Sequence, residues 1–211
     1  MEIPFVDLKK QYLSIKTEID EAIQSVINET AFIKGKYVKQ FEEDYRQAYG
    51  VKHVISCANG TDAIYITLKA LGVGPGDEVI TVANTWISTA ETISQTGAKP
   101  VFIDIDPDYY NIDVNLIEEK ITSKTSAIVP VHVFGNACEV EDIQKISERH
   151  NLKVIYDAAH AFDVQYKEGS ILNYGDISTL SFHATKLFHT IEGGALIIKD
   201  DELANKARRL V

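Results

Sequence analysis

The sequence predicts an α/β fold in which a mostly parallel sheet carries helices on both faces. Short apolar runs typical of buried strands alternate with segments of helical periodicity from Val51 to Ile198. Repeated alternation of this kind is typical of parallel strands joined by crossover helices. Several predicted strands also end in polar residues or glycine, at the sheet edge where such folds bind their ligands.

Two helices are predicted ahead of the sheet. In the first, apolar residues recur at steps of three and four from Leu8 to Val26, and the helix begins near Asp7. Its apolar stripe requires a partner. The second helix continues the same spacing from Val38 and ends at Gly50, because glycine readily terminates a helix.

Strands and helices then alternate along the chain. Strands are predicted at residues 51–56, 78–83, 100–104, 127–131, 153–157, 177–182 and 195–198. The intervening helices are predicted at residues 61–71, 87–95, 115–121 and 140–150. Residues 203–211 have helical spacing without a stop signal.

Composition restricts the classes of function. The length of 211 residues suits one large domain, and a net charge of -10 argues against nucleic acid and anionic membranes as partners. The N-terminus shows no secretory pattern and the chain has no long apolar run, so we expect a cytoplasmic protein. Cys57 and Cys138 lack metal-ligand spacing, so we expect free thiols and no metal.

Lys186 and Asp157 form the most informative pair of residues. Asp157 ends the apolar run Val154-Ile155-Tyr156, and Lys186 follows the strand that ends near Ser181. Pyridoxal 5'-phosphate chemistry requires a lysine that holds the cofactor's aldehyde as a Schiff base and a carboxylate against the pyridine nitrogen. We predict these two roles for Lys186 and Asp157.

Four other residues fit the same cofactor. Gly60 and Thr61 follow an apolar strand and begin a helix, where backbone N–H groups can bind a phosphate. Ser181 offers a hydroxyl to that phosphate. Trp86, the only tryptophan, follows another strand, where its ring could stack on a flat cofactor.

Five linked motifs resemble the sugar aminotransferases of the DegT/DnrJ/EryC1/StrS family, and the resemblance begins at Ile3-Pro4-Phe5-Val6-Asp7-Leu8. The motifs are Asn59-Gly60-Thr61-Asp62-Ala63, Asn84-Thr85-Trp86, Asp157-Ala158-Ala159-His160-Ala161, Ser181-Phe182-His183-Ala184-Thr185-Lys186 and Glu192-Gly193-Gly194-Ala195.

The resemblance implies the large domain of a fold type I, pyridoxal-phosphate-dependent transferase. Its expected substrates are a keto sugar on a nucleotide diphosphate and glutamate or glutamine as amino donor, with sugar position 4 slightly favoured over position 3. It implies a homodimer with sites near the interface and a contact from His160 to the cofactor's phenolic oxygen. Because family members continue through a smaller C-terminal domain, we interpret residues 1–211 as a large domain that lacks it.

Other interpretations of the residues stay open. Asp157 could cap the turn after its strand, Trp86 could be a core or dimer-interface aromatic, and Ser181 a small packing residue. His160 could satisfy a buried polar network, and His183 could line the phosphate pocket or the substrate entrance, or be structural.

The open alternatives for function are a sugar dehydratase of the same fold, in which this lysine is replaced, and a non-catalytic or regulatory protein on the same scaffold. Lys186 argues against the dehydratase.

Overall fold

The computed structural model describes residue 4 and residues 6–211 and confirms the predicted α/β fold with its mostly parallel sheet. Ile3 and Phe5, which belong to the family resemblance, lie outside the described residues. The described chain forms two compact units that divide between Asp44 and Tyr45.

The first unit contains α1 (Leu8–Ser14), α2 (Lys16–Asn28) and most of α3 (Lys36–Tyr49). The carboxylate of Asp7 caps α1 by accepting the backbone N–H of Lys10, so the predicted helix start is confirmed. The predicted continuity is wrong, because Ile15 leaves the helical conformation with φ −127° and ψ 21°. Every residue of α1 and α2 is at least partly exposed.

The second unit is built on a seven-stranded sheet with the order β1-β9-β8-β5-β4-β2-β3. Its strands are β1 (His53–Cys57), β2 (Glu78–Val82), β3 (Lys99–Ile103), β4 (Thr125–Val129), β5 (Lys153–Asp157), β8 (Ile177–Ser181) and β9 (Gly194–Ile198). β9 runs antiparallel between β1 and β8, and the other pairs are parallel. A separate hairpin joins β6 (Gln165–Tyr166) to β7 (Gly169–Ser170).

Helices of this unit pack on the sheet through buried apolar side chains. They are α4 (Gly60–Leu71), α5 (Ser88–Gln95), α6 (Val140–His150) and α7 (Asp201–Arg208). One side of α4 packs Ile64 and Leu68 against β2, β4, β5 and α5, and another packs Ile66 and Ala70 against β1, β8, β9 and α7. None of the described helices has the length and apolar content that crossing a membrane requires.

Two local predictions are corrected. Residues 115–121 form two 3₁₀ helices, Val114–Leu116 and Glu118–Lys120, and no α-helix. The Asp113 carboxylate accepts the N–H of Asn115, and such local side-chain bonds compete with α-helical pairing. The last helix begins at Asp201, earlier than predicted, because Asp200 caps it by accepting the N–H of Leu203.

The strand directions bring several predicted site residues to one edge of the sheet. β1 and β8 are both antiparallel to β9, so they run in the same direction as β5, β4 and β2. Their carboxyl ends therefore lie at a common edge, where α/β sheets form ligand sites.

Candidate active site

A cavity of about 430 Å³ opens at the carboxyl edge of the sheet. Six of the seven predicted site residues line it: Gly60, Thr61, Trp86, Asp157, Ser181 and Lys186. The seventh, His160, is not among the lining residues. Residues that are distant in the sequence thus converge on one space.

One end of the cavity is formed by the N-terminus of α4. The side chain of Asn59 caps the helix by accepting the backbone N–H of Asp62 at 2.8 Å. The N–H groups of Gly60 and Thr61 are therefore not used by this cap. A Cβ added at Gly60 would lie 2.8 Å from the Cβ of Ser181. Glycine is therefore required for the close approach between the helix start and the end of β8.

The hydroxyl of Thr61 lies 2.8 Å from that of Ser88, at the start of α5. Trp86 precedes the same helix, is 77% exposed and lines the cavity. An indole with this exposure has a free face for stacking on a flat ligand. The structure thus gives Trp86 a position outside the core.

Asp157 is only 4% exposed, and both of its carboxylate oxygens accept hydrogen bonds. Thr89 donates its hydroxyl to Oδ2 at 2.8 Å, and the backbone N–H of Ala159 donates to Oδ1 at 3.1 Å. The second bond is the capping contact that the sequence left open as an alternative. Asp157 also lines the cavity, and its two oxygens have lone pairs for a further donor there.

Lys186 lies on the loop between β8 and β9 and is half-buried. Burial lowers the pKa of its ammonium, and the negative charge of Asp157 opposes this shift. The loop is fixed on one side by Phe188, whose ring stacks on Phe162 at 4.9 Å and meets Phe182 edge-on. A lysine with a lowered pKa carries more of the neutral, nucleophilic amine near neutral pH.

His160 is held beside the cavity by a strained loop. Its Nδ1 accepts the backbone N–H of Phe134 at 3.3 Å, and the two rings are nearly parallel, with centroids 6.2 Å apart. Phe134 has a φ of 55°, in the left-handed region that is unfavourable for a bulky residue. Partial burial lowers the pKa of His160, and the nearby charge of Lys186 lowers it further.

His183, for which the sequence left open a place in the phosphate pocket, at the substrate entrance or in the structure, lines the cavity. Thr185 and Glu192, which the sequence did not single out as side chains, line it too. The Nδ1 of His183 is 2.8 Å from the Thr185 hydroxyl, and its Nε2 is 3.7 Å from a Glu192 oxygen. Glu192 belongs to the last of the five family motifs, so the sequence contained a signal for its presence at the site.

Ser88 and Thr89 were also missed. Both are buried hydroxyls, and they contact Thr61 and Asp157 respectively. Their signal in the sequence was weak, because serine and threonine at the start of a helix usually serve only as local hydrogen-bonding groups.

The arrangement fits a flat, phosphate-bearing aldehyde. It supplies an amine of lowered pKa, a buried carboxylate, an exposed indole and a helix N-terminus with a space that only glycine leaves open. Pyridoxal 5'-phosphate has the matching aldehyde, ring nitrogen, flat ring and phosphate.

Residues 13–211 match the model of the DegT/DnrJ/EryC1/StrS aminotransferase family, and the chain belongs to this family. It is 46% identical over 209 residues to the pleiotropic regulatory protein of Geobacillus stearothermophilus, across 99% of the chain and 56% of that relative. It is 44% identical over 209 residues to the UDP-2-acetamido-2-deoxy-3-oxo-D-glucuronate aminotransferase of Pseudomonas aeruginosa, across 99% of the chain and 58% of that enzyme.

A solved structure agrees with the family assignment. The chain superimposes on NtdA of Bacillus subtilis, solved with bound cofactor PMP, with a TM-score of 0.91 and 36% identity. The match covers 98% of this chain and 47% of NtdA. The chain therefore spans about half the length of the known proteins that it matches.

Proposed function

We propose that this chain is the cofactor-binding part of a pyridoxal-phosphate-dependent aminotransferase that acts on a keto sugar attached to a nucleotide. The observation that carries the proposal is the convergence of Lys186 and Asp157 on one cavity beside the N-terminus of α4. Membership of the aminotransferase family supports it, as do the name of the Pseudomonas relative and the PMP bound to NtdA.

Pyridoxal phosphate, when bound, would supply an aldehyde carbon that carries the amino group from a donor to a keto group and a ring that accepts electrons. Lys186 has two tasks in this reaction. Its amine would hold the cofactor through the aldehyde, and the same amine, when free, would move the proton at the donor's α carbon. The lowered pKa favours both tasks, because each requires the neutral amine.

Asp157 stabilises a proton on the ring nitrogen by accepting a hydrogen bond from it. The carboxylate is buried, where the dielectric constant is low and its interaction with a cation is strong. The hydrogen bonds from Thr89 and Ala159 keep the carboxylate from being an uncompensated buried charge.

The remaining residues bind and orient the cofactor. The N–H groups of Gly60 and Thr61 and the hydroxyl of Ser181, which line the cavity, would bind the phosphate, and Trp86 would stack on the ring. His160, beside the cavity, would donate to the phenolic oxygen from Nε2, because its Nδ1 accepts the N–H of Phe134 and the neutral ring then carries its proton on Nε2.

The proposal includes glutamate or glutamine as the amino donor, a homodimer as the working form and the cytoplasmic location that the sequence favours. The sugar carbon is expected at position 4 or position 3, with position 4 slightly favoured by the sequence. No nucleic acid or membrane partner is proposed.

One observation favours a second candidate, a regulatory protein on the same scaffold. The Geobacillus relative bears the name of a pleiotropic regulatory protein. Such a protein would not need a lysine of lowered pKa facing a buried carboxylate, so the site favours the enzyme.

Replacement of Lys186 separates these candidates. We expect the protein to absorb light as a lysine-bound pyridoxal phosphate does, and borohydride followed by peptide mapping to find the cofactor on Lys186. Lys186→Ala should abolish the bond while the fold stays intact, because the side chain lies on a loop outside the core. Lys145→Ala, at an exposed ion pair on α6, is the control.

Amino transfer is then measured from glutamate and glutamine to nucleotide-linked 3-keto and 4-keto sugars. A cofactor adduct on a different lysine would remove Lys186 from its role. Bound cofactor without any amino transfer, in a protein that also contains the family's smaller C-terminal domain, would favour the regulatory candidate.

A further inference from the structure

Thr89 makes the buried contact to the proposed catalytic carboxylate. Its side chain is fully buried, and its hydroxyl is 2.8 Å from Oδ2 of Asp157. The two residues are 68 positions apart, so the bond joins the first turn of α5 to the end of β5. The contact is thus a tertiary link and is not part of a local cap.

The hydrogen-bond directions around Thr89 follow from the charge of Asp157. An ionised carboxylate only accepts, so Thr89 must donate its single hydroxyl proton to Oδ2. The oxygen of Thr89 is then free to accept, and the hydroxyl of Thr85 lies 2.9 Å away. Thr85 therefore donates to Thr89, and the two hydroxyls form a relay with one direction. Hydrogen bonds in such a chain strengthen one another in a buried environment.

The same turn contacts the opposite end of the cavity. Ser88 lies 2.8 Å from the hydroxyl of Thr61, and the N–H of Thr89 donates to the carbonyl of Trp86. The first turn of α5 is therefore connected to the phosphate end, the stacking residue and the buried carboxylate. A shift of this turn would change all three together.

We propose that Thr89 is a positioning residue whose hydroxyl, oriented by Thr85, fixes the rotamer of the Asp157 carboxylate and maintains it as a hydrogen-bond acceptor towards the cavity. The inference rests on the proposed function, in which the group in the cavity is the protonated ring nitrogen of pyridoxal phosphate. Without the donor from Thr89, the carboxylate can rotate or take up the ring's proton.

The test uses the protein loaded with pyridoxal phosphate that is labelled with ¹⁵N at the ring nitrogen. In Thr89→Val, which keeps the shape and removes the donor, we expect the ¹⁵N signal to move towards that of unprotonated pyridine. The half-reaction with glutamate should slow by about tenfold to hundredfold, the range expected for loss of one hydrogen bond to a charged group. Thr89→Ser retains the hydroxyl and should restore both.

Thr92→Val is the matched control. Thr92 is fully buried on the same helix, but among the described residues its hydroxyl donates only to the backbone carbonyls of Ser88 and Thr89. The ¹⁵N signal of the cofactor bound to Thr92→Val should equal that of the cofactor bound to the wild type. Thr85→Val, at a half-buried position, should move the ¹⁵N signal in the same direction as Thr89→Val by a smaller amount. If Thr89→Val does not fold, Thr85→Val tests the inference in its place.

Wild-type signals and rates in Thr89→Val and Thr85→Val would overturn the inference and leave the proposed function intact. An equal shift in Thr92→Val would also overturn it, because the effect would then come from helix packing. A wild-type protein that binds no pyridoxal phosphate is a separate result, visible before any variant is made, and it would overturn the proposed function and this inference together.

Discussion

Asp157 combines deep burial with a negative charge, and its neighbours compensate that charge. One oxygen accepts from Thr89 and the other from Ala159. The residues that precede Asp157 in β5 are buried from Val154 onwards. A carboxamide at this position would have nearly the same shape. It would lack the charge that is proposed to stabilise a protonated ring nitrogen.

Asp157→Asn should therefore keep the covalent bond between Lys186 and the cofactor and lose most amino transfer. We expect the half-reaction with glutamate to slow about hundredfold, the size of effect typical of removing one electrostatic stabiliser. Absorbance measures the bond and stopped-flow mixing measures the half-reaction. A rate near that of the wild type would limit Asp157 to capping the N–H of Ala159.

His132 is a buried histidine behind the site. Its ring stacks on Tyr156 at 4.6 Å, its Nδ1 accepts the N–H of Cys138, and its Nε2 has no partner among the described residues. Burial lowers the pKa of His132 to about 3. The folded protein therefore favours the neutral ring.

The stability contributed by neutral His132 should be present above about pH 6.5, the pKa of an unperturbed histidine, and should decrease as the pH falls towards 3. In that window the unfolded chain binds the additional proton, so the free energy of unfolding decreases by up to about 1.4 kcal/mol per pH unit. Urea unfolding between pH 4.5 and 7.5 measures the slope. His132→Gln should show a shallower slope, and equal slopes in the two proteins would contradict the assignment.

At the scale of elements, the start of α4 depends on close packing against the ends of β8 and β9. Gly60 approaches Ser181, and a Cβ at Gly194 would overlap the carbonyl oxygen of Asn59. These two glycines let a helix N-terminus lie directly against two strand ends. The resulting space at the cavity floor is where the phosphate is proposed to bind.

Gly60→Ala should reduce the affinity for pyridoxal phosphate by about tenfold or more, because the new methyl group displaces Ser181 or the helix start. Overpacking of this kind also costs about 1–3 kcal/mol of stability. A titration of the cofactor and a thermal unfolding curve measure the two effects. Gly169→Ala is the control, since a Cβ there meets nothing within 4 Å. Unchanged affinity in Gly60→Ala would place the phosphate elsewhere.

At the scale of the molecule, α1 and α2 expose a series of large apolar side chains. Leu13 is 56% exposed and Ile23 and Ile27 are 50% exposed each. Exposed apolar residues in such a number are typical of a surface that is covered by a partner. The proposed partner is a second copy of the chain.

We expect sedimentation to show a dimer at micromolar concentration. Ile19→Asp together with Ile23→Asp should weaken the dimer, because both place a charge on the exposed apolar series. Glu18→Gln and Glu21→Gln, on the same helix, form the matched control. Monomers alone in the wild type at these concentrations would contradict the homodimer.

The sequence by itself determined the fold class, most strand positions and the side chains at the strand ends. Apolar periodicity is a local property, so it locates α6 and β5 at the predicted residues. The family motifs predicted roles for Lys186 and Asp157 for the same reason, since each motif lies within one short segment of chain.

The tertiary structure decided which distant segments meet. Periodicity shows which face of an element is buried and does not specify its neighbour. The antiparallel insertion of β9 between β1 and β8 and the bond from Thr89 to Asp157 were therefore beyond the sequence. The contact between Phe134 and His160 depends in addition on a left-handed backbone at Phe134, a conformation that the packing around it imposes and that no local propensity of phenylalanine favours.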